Sequence, residues 1–206
     1  YMFIKNFRND TKFSKKITIE NQEELEKVKL QKKPVIFVSG HFSNFELMAM
    51  HLEKSNINLA AVYRPLNNKF LNPVMERIRK KYICKKQIKK GISGTKELLK
   101  EFKNGTSIAL MIDQRVSEGI KSELFGQKAL TTTIPAQFIK KFDATVVPIY
   151  IERLMDDTFK LKILNAVKFS KNETTNNITH KLNKILEKMI MSNPDQWIWT
   201  HNRWKV

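Results

Sequence analysis

Short, fully apolar runs alternate along this chain with segments in which apolar residues recur every three or four positions. The runs "PVIFVS", "LAAVY", "SIALMID" and "TVVPIYIER" are predicted to be strands, and "TFKLKIL" is predicted to follow the last of them after a turn at Asp156 and Asp157. The segments "NFELMAMHLEKS", "FLNPVMERIRKKY", "GTKELLKEFKNG" and "PAQFIKKFD" are predicted to be helices. Strands that are apolar throughout are typical of a parallel sheet with helices on both faces. The pattern therefore predicts an α/β fold built on a mainly parallel sheet.

The ends of the chain differ from this middle part. Residues 1–33 are charged and polar, and Leu25, Val28 and Leu30 of a weakly helical piece offer little to bury. We interpret residues 1–33 as an approach segment, the remnant of a truncated N-terminal region, and residues 34–206 as one domain. Near the other end, Ile178 begins a series of apolar residues at helical spacing that predicts an amphipathic helix packed on the sheet.

Composition restricts the kind of protein. The apolar runs are strand-sized, shorter than the ~18 to 20 residues of a transmembrane helix. Cys84 is the only cysteine, which excludes an internal disulfide and a cysteine-based zinc site. The 206 residues are enough for one large core.

The charge is strongly basic, with 38 Lys and Arg against 20 Asp and Glu, a net charge of +18 and a pI near 9.9. A run without any acidic residue concentrates the excess at Arg79, Lys80, Lys81, Lys85, Lys86, Lys89 and Lys90. Nucleic acid, anionic lipid or an acidic carrier protein would each fit such a run, and a lysine-biased composition would also explain it.

The stretch "GHFSNFEL" directly follows the first predicted strand of the domain. In parallel sheets, ligands bind at the carboxyl ends of strands, and Gly40 permits a sharp exit there with close backbone approach. Ser43 and Glu46 fit a helix capping box, which explains the stretch without any chemistry. Alternatively, Glu46 orients the imidazole of His41, which then takes a proton from a hydroxyl. Such a pair has no nucleophile of its own, so it indicates transfer of an activated group to a substrate alcohol.

This stretch resembles the H-x4-[D/E] block of the lysophospholipid acyltransferase-like family, and the Glu form resembles the late acyltransferases of lipid A biosynthesis. Further blocks agree in order and spacing: "AVYRPLNNKFLNPVMERIR", "GTSIALMIDQR", "ELFGQKALTTTIPAQFIKKFDATVVPIYI" and "PDQWIWTHNRWK". The resemblance covers residues 20–206 and implies that family's fold. It also implies transfer of an acyl chain from an acyl carrier protein thioester to a hydroxyl of a lipid A precursor, with no other cofactor.

The resemblance assigns roles to three catalytic residues. His41 matches the general base, Glu46 its orienting partner and Arg79 the cation that stabilises the oxyanion, with Arg77 as the alternative. Residues matched to substrate binding are Asn44, Arg64, Asp113, Gln114, Phe125, Gly126 and Thr133. Arg64 follows a predicted strand and is suited to clamp a sugar phosphate; alternatively, it is a surface arginine paired with a neighbouring carboxylate. Without the resemblance, Asp113 would be a turn-former and Thr133 capping material.

The expected partners are the carrier protein, an anionic membrane surface and the lipid A precursor. The expected place is the cytoplasmic face of the bacterial inner membrane, with peripheral attachment or an N-terminal helix absent from this chain. A glycerophospholipid or mannoside acyltransferase is the alternative within the enzymes. A nucleic-acid-binding module is the alternative from another class, but Tyr82 is the only aromatic residue within the basic run, so no nucleic acid is expected. Trp197, Trp199 and Trp204 are expected at a membrane interface or in the core, with at least one of them packed.

Overall fold

The computed structural model describes residues 4–205, except the side chains of Thr11 and Ser14. Residues 1–3 of the predicted approach segment and Val206, the end of the predicted domain, lie outside the described residues. The strands are β1 (Ile17–Glu20), β2 (Ile36–Ser39), β3 (Leu59–Tyr63), β4 (Lys86–Lys89), β5 (Ser107–Met111), β6 (Ile120–Leu124), β7 (Gln127–Thr131), β8 (Val146–Arg153) and β9 (Phe159–Ile163). The helices are α1 (Ile4–Asn9), α2 (Thr11–Ser14), α3 (Gln22–Leu30), α4 (Glu46–Lys54), α5 (Leu71–Tyr82), α6 (Ile92–Lys103), α7 (Ile134–Phe142) and α8 (Thr175–Ser192), with a 3₁₀ turn at Pro194–Gln196.

Seven of these strands form one sheet in the order β1-β9-β8-β2-β5-β3-β4. Strands β8, β2, β5, β3 and β4 run parallel to one another, whereas β9 pairs with β8 in the antiparallel direction and β1 runs parallel to β9. The prediction of a single-domain α/β fold with a mainly parallel sheet is confirmed.

Strand β2 lies at the centre of the sheet, between β8 and β5. All four of its residues are buried, so both of its faces are covered, which is why this strand is apolar without alternation. Its one polar side chain, Ser39, donates a hydrogen bond of 2.6 Å to the backbone oxygen of Ile149 on β8. The neighbouring strands and the Ser39 hydrogen bond therefore fix the end of β2 and the start of the loop after it.

Strands β6 and β7 form a separate antiparallel hairpin. Its turn consists of Phe125 and Gly126, both with positive φ angles, of 53° and 73°, as a two-residue hairpin turn requires. The hairpin is fastened to α8, because the amide of Asn183 donates to the backbone oxygen of Glu123 at 2.9 Å. The backbone N–H of Phe125 also donates to Glu187 at 2.6 Å.

The interpretation of the first 33 residues needs correction. Strand β1 pairs with β9 and extends the sheet, and α3 contacts β9. Leu25 and Val28 are buried, at 0% and 4% exposure, whereas Leu30 is 80% exposed. The expectation that these residues bury little was wrong for the first two, because the sheet beside them supplies the apolar partner that the local sequence lacks. Strand β1, which lies within residues 1–33, thus belongs to the same sheet as the strands of residues 34–206.

Across residues 4–205, no helix combines the length and the apolar character needed to cross a membrane.

Candidate active site

His41 lies two residues beyond the carboxyl end of β2, as the sequence predicted. A Cβ atom on Gly40 would lie 2.9 Å from the ring of Phe42, closer than real Cβ atoms come to such a ring. The predicted close approach of the backbone at Gly40 is therefore confirmed. The His41 ring also packs edge to face against Phe45, with the ring centroids 4.7 Å apart. These contacts hold the imidazole at the edge of the sheet.

Asp113 is the carboxylate that holds His41. Strands β2 and β5 are parallel neighbours with Ser39 opposite Met111, so the residue two positions beyond each strand lies at the same edge. Oδ1 of Asp113 lies 2.8 Å from Nδ1 of His41, and Oδ2 accepts the His41 backbone N–H at 2.8 Å. Asp113 therefore fixes both the ring and the backbone of His41.

The Asp113 carboxyl group is almost completely buried, with 4% of the residue exposed. Burial by itself raises the pKa of this group, but hydrogen bonds and the charge attraction of His41, together with the indole N–H of Trp197, outweigh it and lower the pKa below the usual value. The indole nitrogen of Trp197 donates to Oδ2 at 2.9 Å. Asp113 thus remains an anion beside the imidazole at neutral pH.

Glu46 pairs with an arginine of α5. Its carboxylate forms an ion pair with Arg79, whose Nε and Nη2 each lie 3.1 Å from Oε1 of Glu46. The H-x4-E spacing predicts Glu46 as the orienting partner of His41, but the ring nitrogen Nδ1 of His41 bonds to Asp113. The reason lies in the sheet, which places the end of β5 beside the end of β2.

Arg79 rather than Arg77 is the arginine at this site. The guanidinium of Arg79 lies over the Tyr63 ring, 5.6 Å from its centroid, and only 14% of the side chain is exposed. Arg77 is exposed on the outer side of α5.

The predicted capping box at Ser43 and Glu46 is wrong. Helix α4 begins at Glu46 itself, with Phe45 at the N-cap position and no side-chain cap. Ser43 has a φ angle of 42° and donates its backbone N–H to the oxygen of Gln196 at 2.8 Å. The loop is therefore shaped by the C-terminal segment and not by a local cap.

The C-terminal segment 194–204 closes one side of the site. The backbone N–H of Ile198 donates to the oxygen of His41 at 3.0 Å. Nε2 of His201 accepts the backbone N–H of Arg115 at 2.9 Å, and burial lowers the pKa of this imidazole. Trp197 is buried, which confirms that at least one of the C-terminal tryptophans is packed. The sequence predicts Trp197 at a membrane interface or in the core, but not its hydrogen bond to Asp113, although the tryptophan-rich block was a visible signal.

Arg203 anchors this segment from inside the protein. Its side chain is fully buried and donates to the backbone oxygen of Leu130 at 2.8 Å and to Oγ1 of Thr131 at 2.7 Å. Burial lowers the pKa of this guanidinium, while the charge of Asp113 acts in the opposite direction. The buried Arg203 cation is thus attracted electrostatically by the buried Asp113 carboxylate.

The other predicted site residues are distributed around the molecule. Asn44 lines a cavity together with Glu46, and Gln114 follows Asp113 in a partly buried position. Arg64 is exposed just beyond the end of β3. Phe125 and Gly126 form the hairpin turn against α8. Thr133 occupies the N-cap position of α7 without a side-chain cap, and its hydroxyl accepts a hydrogen bond from the Gln137 amide at 2.9 Å. The structure therefore brings Asp113 against His41 and Asn44 into the cavity beside Glu46, and it places Phe125 and Gly126 on the hairpin and Thr133 at the start of α7.

A cavity of about 410 Å³ opens beside Glu46. Its apolar wall is formed by α1, α2 and β9, through the side chains of Ile4, Phe7, Phe13 and Phe159. The three phenylalanines pack edge to face, with centroid distances of 5.4 and 5.7 Å from Phe7. Lys16, Arg153 and Asp157 give the cavity a polar side. An apolar chain with a polar end would find both environments here.

This arrangement is suited to proton transfer. With a carboxylate on Nδ1, the imidazole carries its proton there and presents the lone pair of Nε2 to a substrate hydroxyl. Among the described residues, no group of three or more His, Cys, Asp or Glu side chains could hold a metal ion.

The family model for bacterial lipid A biosynthesis acyltransferases matches residues 2–206. The chain belongs to this family. It is 25% identical over 207 residues to a lipid A biosynthesis palmitoleoyltransferase of Escherichia coli, and 24% identical over 210 residues to a lipid A biosynthesis lauroyltransferase of the same organism. Each alignment covers 97% of this chain and 65% of the relative, so the chain spans about two thirds of the length of these proteins.

Among solved structures, the chain resembles the 1-acyl-sn-glycerophosphate (LPA) acyltransferase PlsC from Thermotoga maritima, with a TM-score of 0.55 and 17% identity. The match covers 88% of this chain and 73% of that protein. This likeness confirms the predicted fold class and concerns the fold alone.

Proposed function

We propose that this protein transfers a fatty acyl chain from a thioester of acyl carrier protein to a hydroxyl group of a lipid A precursor. Family membership supports the reaction class, and the contact of the buried Asp113 carboxylate with Nδ1 of His41 is the observation that carries the chemistry. The reaction takes place at the cytoplasmic face of the bacterial inner membrane. The net charge of +18 suits both an acidic carrier protein and a phosphorylated lipid.

His41 begins the reaction as a general base. Nε2 takes the proton of the acceptor hydroxyl while the oxygen attacks the thioester carbonyl carbon, and Asp113 stabilises the imidazolium that forms. The tetrahedral intermediate then collapses, the carbon–sulfur bond breaks, and the imidazolium returns its proton to the leaving thiolate. An ester of the lipid and a free carrier thiol result, so the proton and the electron pairs balance.

Arg79 supplies positive charge for the oxyanion of the intermediate. Glu46 and the Tyr63 ring hold the guanidinium in place, so Glu46 acts on the reaction through Arg79. Cations and N–H donors aimed at a developing oxyanion lower the barrier because they need no reorganisation during the reaction. This assignment gives the two carboxylates different roles, since Asp113 orients the base and Glu46 orients the cation.

The acyl chain lies in the cavity beside Glu46. The ring cluster of Phe7, Phe13 and Phe159 removes its methylene groups from water, which is worth about 0.8 kcal/mol per buried methylene. The polar side of the cavity faces the thioester end. Asn44 lines the same cavity as Glu46, and we assign it to the thioester end of the chain.

The test is acyl transfer with acyl carrier protein thioesters and lipid A precursors, followed by mass spectrometry of the products. His41→Ala should lower turnover by about 10² to 10⁴, because it removes the general base. Asp113→Asn should also lower turnover, because it removes the anionic partner of that base. The control His180→Ala, in α8, should leave turnover unchanged. Unaltered turnover in His41→Ala would contradict the mechanism.

The same assay distinguishes the role of Glu46 from that of Asp113 and compares the possible acceptor lipids. Glu46→Gln and Arg79→Met should cause similar losses that are not additive in the double variant, because both changes act on one ion pair. Offering a lysophosphatidate in competition tests the acceptor, and preferential acylation of that lipid would reject the lipid A assignment.

A further inference from the structure

Helix α5 and the residue before it carry an exposed surface that we call the α5 surface, formed by Phe70, Leu71, Val74, Arg77, Lys80 and Lys81. The three apolar side chains are 89%, 53% and 51% exposed. No residue of α5 is buried. A contiguous apolar cluster on a solvent-exposed face marks an interaction site when polar residues border it.

The inner face of α5 is mixed: Ile78 and Tyr82 pack against the hydrophobic core, and polar contacts fasten the rest of this face. Asn72 donates to Glu76 at 2.7 Å, and Arg79 pairs with Glu46. Lys89 on β4 lies 3.5 Å from Glu76 and adds a further ion pair. These contacts hold α5 over the site.

The outward residues lie on the opposite side of the helix. Positions 70, 74, 77 and 81 follow one another at spacings of four, three and four, so Phe70 and Val74 continue directly into Arg77 and Lys81. Arg77, Lys80 and Lys81 also line a shallow groove together with Pro73 and Glu76. Apolar side chains and cations thus share one face.

This combination fits a lipid surface better than an acidic protein. Acidic side chains would match the cations but leave Phe70, Leu71 and Val74 without apolar partners. In an anionic bilayer, rings and aliphatic groups enter the boundary of the acyl chains while lysine and arginine remain among the phosphates. One partner therefore satisfies every part of the α5 surface.

We infer that the α5 surface docks the protein on an anionic lipid bilayer, with Phe70, Leu71 and Val74 inserted below the headgroups and Arg77, Lys80 and Lys81 among the phosphates. The inference rests on the proposed function in one respect: docking through the α5 surface turns α5, which carries Arg79, toward the bilayer that holds the lipid acceptor. The acceptor then reaches His41 past α5 without leaving the bilayer surface completely.

The test is cosedimentation of the protein with vesicles of phosphatidylglycerol and phosphatidylcholine, compared with vesicles of phosphatidylcholine alone. Lys80→Gln with Lys81→Gln should weaken partitioning to the anionic vesicles about thirtyfold, because each cation contributes about 1 kcal/mol near such a surface. Phe70→Ala with Val74→Ala should weaken it roughly tenfold or more. Salt should weaken the binding of the wild-type protein.

Two matched controls change the same chemistry elsewhere. Leu30→Ala with Met191→Ala removes apolar side chains that are 80% and 64% exposed, and Lys168→Gln with Lys171→Gln removes two exposed cations. Both controls should bind like the wild type. Equal losses in the controls and the α5 variants, or no vesicle binding by the wild type, would overturn the inference.

Further outcomes identify other occupants or separate this inference from the proposed function. Loss of carrier protein binding in the α5 variants with vesicle binding intact would overturn the inference in favour of a protein partner. Concentration-dependent dimers abolished by Phe70→Ala and unaffected by vesicles would overturn it in favour of a second copy. Vesicle binding does not require turnover, so an inactive protein that still binds through the α5 surface would refute the proposed reaction and support the docking.

Discussion

At the residue scale, the imidazole of His41 is fixed by a chain of two groups, Asp113 and Trp197. Asp113 accepts from the His41 ring and backbone, and Trp197 donates to the same carboxylate. Each hydrogen bond to a buried anion is stronger than a neutral one and keeps the group charged in spite of its burial. The tryptophan therefore has a positioning role that its packing alone would not reveal.

Trp197→Phe tests this role. The variant keeps an aromatic ring in the core but removes the donor to Oδ2 of Asp113, so the pKa of that carboxyl should rise. We expect kcat to fall roughly tenfold with little change in KM. The acid limb of the pH–rate profile should move to higher pH, because a more basic Asp113 also favours the protonated imidazole.

The matched control is Trp199→Phe, since Trp199 is 54% exposed and its indole donates to the backbone oxygen of Pro194. Its kinetics and pH profile should equal those of the wild type. A Trp197→Phe profile with an unshifted acid limb would reduce the tryptophan to a packing residue.

At the scale of elements, the predictions succeeded where one local pattern decides the structure. Helix α7, predicted from "PAQFIKKFD", and the turn with Asp157 at a φ angle of 59° both agree with the sequence. Strand β1, strand β4 and the β6–β7 hairpin were not predicted, because their exposed residues are charged and their apolar residues are few. Neighbouring elements supply the packing that stabilises them.

Helix α8 provides a prediction at this scale. The hydroxyl of Thr174 accepts the backbone N–H of Asn177 at 3.1 Å and caps the 18-residue helix. Thr174→Ala should lower the free energy of unfolding by about 1 kcal/mol, which corresponds to about 2–4 °C in Tm for a chain of this length. Urea and thermal unfolding measure the change.

Thr175→Ala at the next position is the control for the cap. It removes the same hydroxyl and methyl group one residue inside the helix, so its stability should stay close to that of the wild type. Equal losses in the two variants would show that the hydroxyl of Thr174 does not cap α8.

At the scale of the whole molecule, a half-buried histidine couples stability to pH. Burial and the charges of Lys54 and Lys29 lower the pKa of His51 to about 4, and Nε2 of the ring lies 3.3 Å from the hydroxyl of Ser55. The folded protein therefore binds the His51 proton less readily than the unfolded chain, whose histidine has its ordinary pKa of about 6.5. The contribution to stability is present above the unfolded pKa and is lost as pH falls toward the folded pKa.

His51→Gln should remove this dependence. Between about pH 7 and about pH 5, the wild type should lose about 2 kcal/mol more of its free energy of unfolding than the variant loses. Urea unfolding of both proteins at a series of pH values provides the measurement. Parallel curves for the two proteins would show that His51 is not buried in its neutral form.

The sequence by itself determined the alternation of strands and helices, the placement of His41 at the end of an apolar strand, and the presence of Arg79 on the second helical segment after that strand. These features depend on local hydrophobic period and on short spacing. Only the tertiary structure decided that Asp113, 72 residues away, holds the ring of His41, that Glu46 holds Arg79, and that Trp197 completes the site. The physical reason is that strand order and register bring distant strand ends to one edge, and hydrophobic period along the chain encodes neither.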